Sequence, residues 1–460
     1  MARMNKPRRP ELLSPAGSLK ALRFACAYGA DAVYAGLPRY SLRVRKNTFR
    51  NAAALAEGIA TAHTAGKQFF LAVNLVPHDR KVRTFIDDMA PILDNTQKPD
   101  ALIMADPGLI MLVRERWPEM PVHLSVQAST MNSASVRFWQ KLGLRRIILS
   151  RELSLDEISE IRQACPDMEL EVFVHGALCI AHSGRCLLSG YFSSRDSNQG
   201  ACTNSCRWKY GIVPDPSAEA HPQNAFTPDP AYHPHPLAQQ PWLIDETARR
   251  AGEYMEISED ENGAYIMNSR DLRAIEHVRR LVEIGVDSLK IEGRTKSHYY
   301  AARTAQLYKR AIDDAVAGRP FDPALLAKLD GLANRGYTDG FLGRHEARET
   351  QNYERGESRT DTQEFVAEVT AYDAATGYST LDVKNRFVVG DRLEIISPDG
   401  DRDMTLGALE NTEGHPVETA PGNGHTVRAK LGETLPGLTL VARYLQTERE
   451  ARTDAGPAGS

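Results

Sequence analysis

Several features are scarce in this chain of 460 residues. No apolar run approaches the roughly 18 to 20 residues that cross a bilayer, so no membrane partner is expected. The opening MARMNKPRRPELL has a basic flank but no apolar core, so no export signal is read and a cytoplasmic location is expected. No excess of positive charge exists. The formal net charge is −4, and any contact with nucleic acid must come from a local patch. No Gly-x-Ser-x-Gly elbow, His-Glu-x-x-His helix or P-loop occurs, so the usual devices of a serine or zinc protease are missing. Cysteine is limited to six residues, at 26, 165, 179, 186, 202 and 206.

What is present is a repeating pattern. Eight short apolar runs recur: ELLSPAG, AVYAGL, FFLAVN, ALIMAD, VHLSVQ, RIILSRE, LEVFVHG and SLKIEG. Continuous apolar strands of this kind are buried on both faces, as parallel strands are. Between them lie stretches with apolar residues at three- and four-residue spacing, such as SLKALRFACAYGA and NSASVRFWQKLG. Ser154 followed by Glu157 predicts a capping box. The alternation predicts an α/β fold, a (β/α)8 TIM-like barrel over residues 11–320 after a flexible 1–10, with an open doubly wound sheet as the alternative.

The seventh unit departs from the pattern. A long insertion, at about 176–268, separates its strand from the next helix, predicted over SRDLRAIEHVRRLVEIG. It carries four cysteines and a Pro/His-rich stretch at 214–241 that reads as an extended loop. Residues 321–362 read as a helix and linker. Short alternating strands over 363–445 then predict a small antiparallel β domain, a barrel, before a polar tail at 446–460. The β domain is acidic, with 14 Asp and Glu against 7 Lys and Arg over residues 361–445, which argues against an electrostatic RNA grip.

The clustered cysteines follow Cys179-x6-Cys186-x15-Cys202-x3-Cys206. A reducing cytoplasm disfavours disulfides. Four thiolates suit an iron–sulfur cluster or zinc, and the irregular spacing favours the cluster. Because the loop leaves strand seven at its C-terminal end, the sulfurs belong over the barrel mouth. Cys26 and Cys165 read as buried, inert thiols.

Strand ends supply the other candidates. Arg151 and Arg294 at the mouth fit a carboxylate or phosphate, and Lys296 joins them. His175 and Glu292 are candidate general acids or bases. Tyr34, Asn74, Gln127, Glu152 and Lys290 complete the rim. RYSLRVRKNTFR, residues 39–50, is rich in basic side chains and lacks acidic ones. Its Arg43, Arg45 and Lys46 suit phosphates, and Tyr40 and Phe49 suit base stacking. Rim salt bridges and solvated loops are the plain alternatives.

One long pattern adds a resemblance. Glu171-x-Phe173-x-x-Gly176-Ala177-Leu178-Cys179, continuing to Gly184-x-Cys186-x-Leu188-Ser189, resembles the signature of the peptidase U32 family. The likeness runs on through RDSNQGACTNSCRWKY and SLKIEGRTKSHYY. Length and the β domain are similar to the branch that hydroxylates tRNA. The resemblance implies a 4Fe–4S cluster on Cys179, Cys186, Cys202 and Cys206, with zinc as the alternative. It also implies formation of 5-hydroxyuridine at the wobble position of a tRNA anticodon loop, with prephenate as a required metabolite and with dependence on iron–sulfur assembly machinery. The rival readings are a collagenase-like peptidase, as the family's name says, and a non-catalytic RNA-binding protein stapled by its cluster.

Overall fold

A computed structural model describes residues 8–42, 47–178, 270–334, 336–343, 362–432 and 435–445, together with the backbone of strands at 242–245, 254–260 and 263–265. Each of the eight apolar runs forms a strand. The first seven are β1 (Glu11–Pro15), β2 (Ala32–Gly36), β3 (Gln68–Val73), β4 (Ala101–Met104), β5 (Val122–Leu124), β6 (Arg146–Ile148) and β7 (Glu169–Ala177). A three-stranded antiparallel sheet follows in the insertion: β8 (Trp242–Asp245), β9 (Tyr254–Asp260) and β10 (Gly263–Tyr265). After β11 (Asp271–Arg273) comes β12 (Ser288–Ile291), the eighth barrel strand. It pairs in parallel with both β7 and β1, which closes the barrel. The open doubly wound sheet is thereby excluded.

The helices start where their caps predict. α1 (Leu19–Ala27), α2 (Ala52–Thr64), α5 (Pro107–Arg116), α6 (Ser133–Lys141), α7 (Leu155–Ala164) and α9 (His298–Val316) are capped by Ser18, Asn51, Asp106, Asn132, Ser154 and Ser297. Each side-chain oxygen accepts from an otherwise unpaired N–H in the first turn. Between them lie α3 (Asp79–Val82), α4 (Phe85–Leu93) and α8 (Val278–Ile284), and α10 (Ala324–Asp330) follows. The capping box of α7 is present, with Ser154 N donating to Glu157 Oε2 at 2.8 Å.

One expected helix is shorter than its sequence pattern. SRDLRAIEHVRRLVEIG yields a 3-10 turn at Ile275–His277 and an α-helix only over Val278–Ile284, because Asp271–Arg273 is drawn into the sheet as β11. β7 runs on past the barrel, and its Ala177, Gly176 and His175 pair antiparallel with β11. That extension offers backbone groups that a helix at 271–273 would leave unpaired. β11 in turn pairs with β13 (Tyr337–Thr338).

The C-terminal domain is an eight-stranded antiparallel sheet. Its four longest strands are β14 (Gln363–Asp373), β15 (Tyr378–Val383), β17 (Arg392–Ser397) and β18 (Gly400–Thr405), while the short β16 (Phe387–Val388) pairs with residues 419–420 in a separate two-stranded sheet. Val366, Leu381, Phe387, Leu393, Val427 and Val441 fill its core. The domain lies against α1 and α9. Tyr28 donates to the carbonyls of Ile396 and Leu438 at 2.8 and 2.9 Å, and the Tyr299 and Phe365 rings stack at 4.7 Å.

Candidate active site

The barrel interior carries charge where an aliphatic core is usual. On β7, Leu170, Val172 and Val174 join the hydrophobic core, while Glu171 is fully buried and reaches Arg146 of β6 and Lys290 of β12. Glu171 Oε1 accepts from Lys290 Nζ at 2.7 Å, and its Oε2 from Arg146 at 3.2 Å. Arg146 also reaches Glu11 at 2.7 Å and Glu169 at 3.0 Å. Each ion sits among opposite charges, which offsets a desolvation cost of several kcal/mol per ion. Burial raises the Glu11 carboxyl and opposes the pull of Arg146 on it. Burial lowers the Lys290 amine, with Glu171 pulling the other way.

Above this layer lies a pocket lined by Tyr34, Asn74, Gln127, Arg151, Phe173, Lys290, Glu292 and Arg294, with Ser125 and Leu42 among its other walls. It contains about 600 Å³ of empty space, open solvent at the mouth included. Six strands deliver these side chains, Tyr34 and Phe173 from mid-strand and the others at or near the C-terminal ends, the face where barrel enzymes work. Arg151 stacks on Phe173, its guanidinium carbon 3.8 Å from the ring centroid, and lies 3.7 Å from Glu292. Arg294 is buried and donates to Ser41 Oγ at 2.6 Å and to the Leu42 carbonyl at 2.7 Å. Tyr34 donates to the Ile291 carbonyl at 3.0 Å and stands 3.4 Å from Glu292. Lys290, Arg151 and Arg294 outnumber Glu292 among the charged lining residues, so the pocket attracts anions.

The structure therefore brings together Tyr34, Asn74, Gln127, Arg151, Glu292, Arg294 and Lys290. Lys296 stands elsewhere, 5.5 Å from the Tyr300 ring centroid, and Glu152 is not in the lining. His175 is also outside it. Its ring is 1% exposed and lies 5.5 to 5.7 Å from those of Tyr300, Tyr308 and Tyr337. Burial, with Lys296 and Arg273 adding to it, lowers its pKa to about 3. The imidazole is thus neutral and packed rather than poised near neutrality for proton transfer.

One further expectation is corrected. Tyr40 and Phe49 are not stacking platforms for bases. Both are buried, Tyr40 edge-on to Phe85 and Phe49 edge-on to Phe69, and Tyr40 donates to Asp88. Arg43, Arg45 and Lys46 lie outside the described residues, as do Cys179, Cys186, Cys202 and Cys206. Cys26 and Cys165 are buried free thiols, and burial pushes Cys26 up to about 11. Among the described residues, no cluster of three or more His, Cys, Asp or Glu could hold a metal ion. Phe173 and Ser125 were missed by the sequence reading. The alternation of Glu171 and Phe173 with aliphatic neighbours was the available signal.

Site and scaffold together define a class: a closed parallel (β/α)8 barrel with an anion-attracting pocket at its strand ends, joined to an antiparallel β domain. Residues 17–352 match Peptidase family U32, and residues 361–441 match the Peptidase family U32 C-terminal domain. The chain belongs to Peptidase family U32. It is similar to tRNA hydroxylation protein P of Escherichia coli, 57% identical over 426 residues that span 91% of this chain and 93% of that one. Its likeness to tRNA hydroxylation protein P of Haemophilus influenzae is 54% over 432 residues, covering 91% and 92%. The 23S rRNA 5-hydroxycytidine C2501 synthase of E. coli is 31% identical over 316 residues, covering 68% of this chain and 40% of that one.

Proposed function

We propose that this chain is an RNA-modifying enzyme that hydroxylates tRNA, forming 5-hydroxyuridine at the wobble position, with prephenate as a required metabolite. The observation that carries the reading is the 57% identity to tRNA hydroxylation protein P, which extends over barrel and β domain alike. An anticodon loop offers its bases unpaired, so a ring carbon can enter a mouth at the strand ends without opening a duplex. Arg43, Arg45 and Lys46 would hold backbone phosphates. Arg151 and Arg294 would hold the carboxylates of prephenate, and Glu292 would move a proton beside them.

Cys179, Cys186, Cys202 and Cys206 would hold a 4Fe–4S cluster delivered by the cell's iron–sulfur machinery. The chemistry of the donor set supports this, since four thiolates match such a cluster. The chain position supports it too: β7 ends at Ala177, and Cys179 comes two residues later in the sequence. When bound, the cluster would supply electron transfer. The protein's own residues position the base and the acid and exclude water. Nucleoside mass spectrometry of tRNA from cells with and without this chain tests the reading, and unchanged 5-hydroxyuridine would refute it. A gelatin and casein assay tests the peptidase alternative, with no cleavage expected.

A further inference from the structure

We propose that Lys290 is a covalent catalyst whose amine condenses with the carbonyl of a small 2-oxo acid bound in the barrel mouth. The inference rests on the pocket being the small-acid site of the reading above, and it adds a chemical step that this reading does not contain.

Geometry carries it. Lys290 is 3% exposed and lies in the wall of the pocket, at the C-terminal half of the last barrel strand. Its Nζ is held 4.5 Å from the Tyr34 ring centroid and 5.4 Å from that of Phe173, so the amine has a fixed position rather than a solvated one. Its carboxylate partner is shared. Glu171 gives one oxygen to Lys290 and the other to Arg146, which Glu11 and Glu169 also face. Burial lowers the amine's pKa against the opposing pull of Glu171 and Glu292, and Arg294 adds to the lowering. A desolvated lysine beside another cation is the standard route to a nucleophilic amine at neutral pH. Arg151 and Arg294, in the same pocket, supply the guanidinium groups that a carboxylate needs. An acid with a carbonyl next to its carboxylate therefore meets a cation at one end and an amine at the other.

The step balances without an oxidant. The ammonium gives a proton to Glu171, and the free amine adds to the carbonyl carbon. A carbon–nitrogen bond forms, and the two protons left on the nitrogen pass to the carbonyl oxygen, relayed by the Glu292 carboxylate in the same pocket, so that the oxygen leaves as water. The product is an imine between Lys290 and the acid.

Trapping tests this on the full-length protein without RNA, so its failure leaves the tRNA test untouched. The protein is incubated with pyruvate as probe and reduced with borohydride, and the adduct is located by peptide mass spectrometry. The expected result is one reduced pyruvyl adduct on the peptide that contains Lys290. Lys290→Arg keeps the positive charge, and its melting temperature reports folding; the adduct should fall to background while the melt stays cooperative. Absence of an adduct at Lys290 at saturating pyruvate overturns the proposal. So does labelling at other lysines that Lys290→Arg leaves unchanged.

Discussion

Arg303 of α9 and Glu394 of β17 meet at 2.6 Å, with both side chains almost wholly buried between barrel and β domain. Asp401 accepts from the same guanidinium at 2.7 Å, and Lys328 reaches both carboxylates. The β domain is thus fastened by a buried ion pair, with Asp401 and a partly exposed Lys328 at its edge. Removing one partner leaves a charge stranded, a loss of about 3 to 5 kcal/mol. Arg303→Leu should lower the midpoint of urea unfolding accordingly. A double variant that also carries Glu394→Gln should recover part of the loss, as a double-mutant cycle measures.

The same seam responds to acid. Burial alone would raise Glu368, but hydrogen bonds and charge from His298 and Lys20 outweigh it and hold the carboxyl at about 2. A carboxyl depressed in the fold contributes stability above its unfolded pKa of about 4.5, and that stability is lost as pH falls toward 2. The melting temperature should therefore drop between pH 5 and 3 more in the wild type than in Glu368→Gln. Equal slopes would mean that this ion pair does not act in solution.

Arg294 owes its place to small neighbours. A Cβ built on Gly36 would collide with Arg294 Nη1 and with Ser41 Oγ, and one on Gly17 would collide with the Arg294 carbonyl. Gly36→Ala should displace the guanidinium from the pocket. Binding of a small dicarboxylate should weaken by roughly tenfold or more, the scale of a lost charged hydrogen bond. Unchanged binding by calorimetry would remove Arg294 from the anion site.

His175 makes a negative prediction. A pKa of about 3 leaves the ring neutral throughout the working range, because burial penalises the cation. Its imidazole resonances should not move between pH 5 and 8, and no limb of the rate–pH profile should vanish in His175→Gln. A titration near 6.5 would restore it as an acid–base candidate.

Much of this was legible in the sequence. Eight strands were visible because a parallel barrel strand must satisfy a buried outer face, so runs such as FFLAV and ALIM stand out. Asn74, Gln127, Arg151 and Glu292 could be placed at the mouth because a polar residue just beyond such a run can only sit at the strand end. His175 could not be sorted from them. Its exclusion from the pocket depends on β7 overrunning the barrel to pair with β11, a tertiary event with no local signature. Tyr40 and Phe49 misled for a similar reason, since a basic loop hides which of its aromatics turn inward. The shared carboxylate of Glu171 appears only when β6, β7 and β12 are side by side.

Hydroxylation of tRNA by this chain, proposed at the mouth of its barrel, can be read directly from the modified nucleoside. The most direct measurement is the ratio of 5-hydroxyuridine to uridine, by nucleoside mass spectrometry, in tRNA from cells stripped of every other route to that nucleoside. The account predicts that the wild-type chain restores the modification and that Arg151→Gln and Cys202→Ser, each shown to be folded, do not. Restoration by both variants, or none by the wild type, would contradict it.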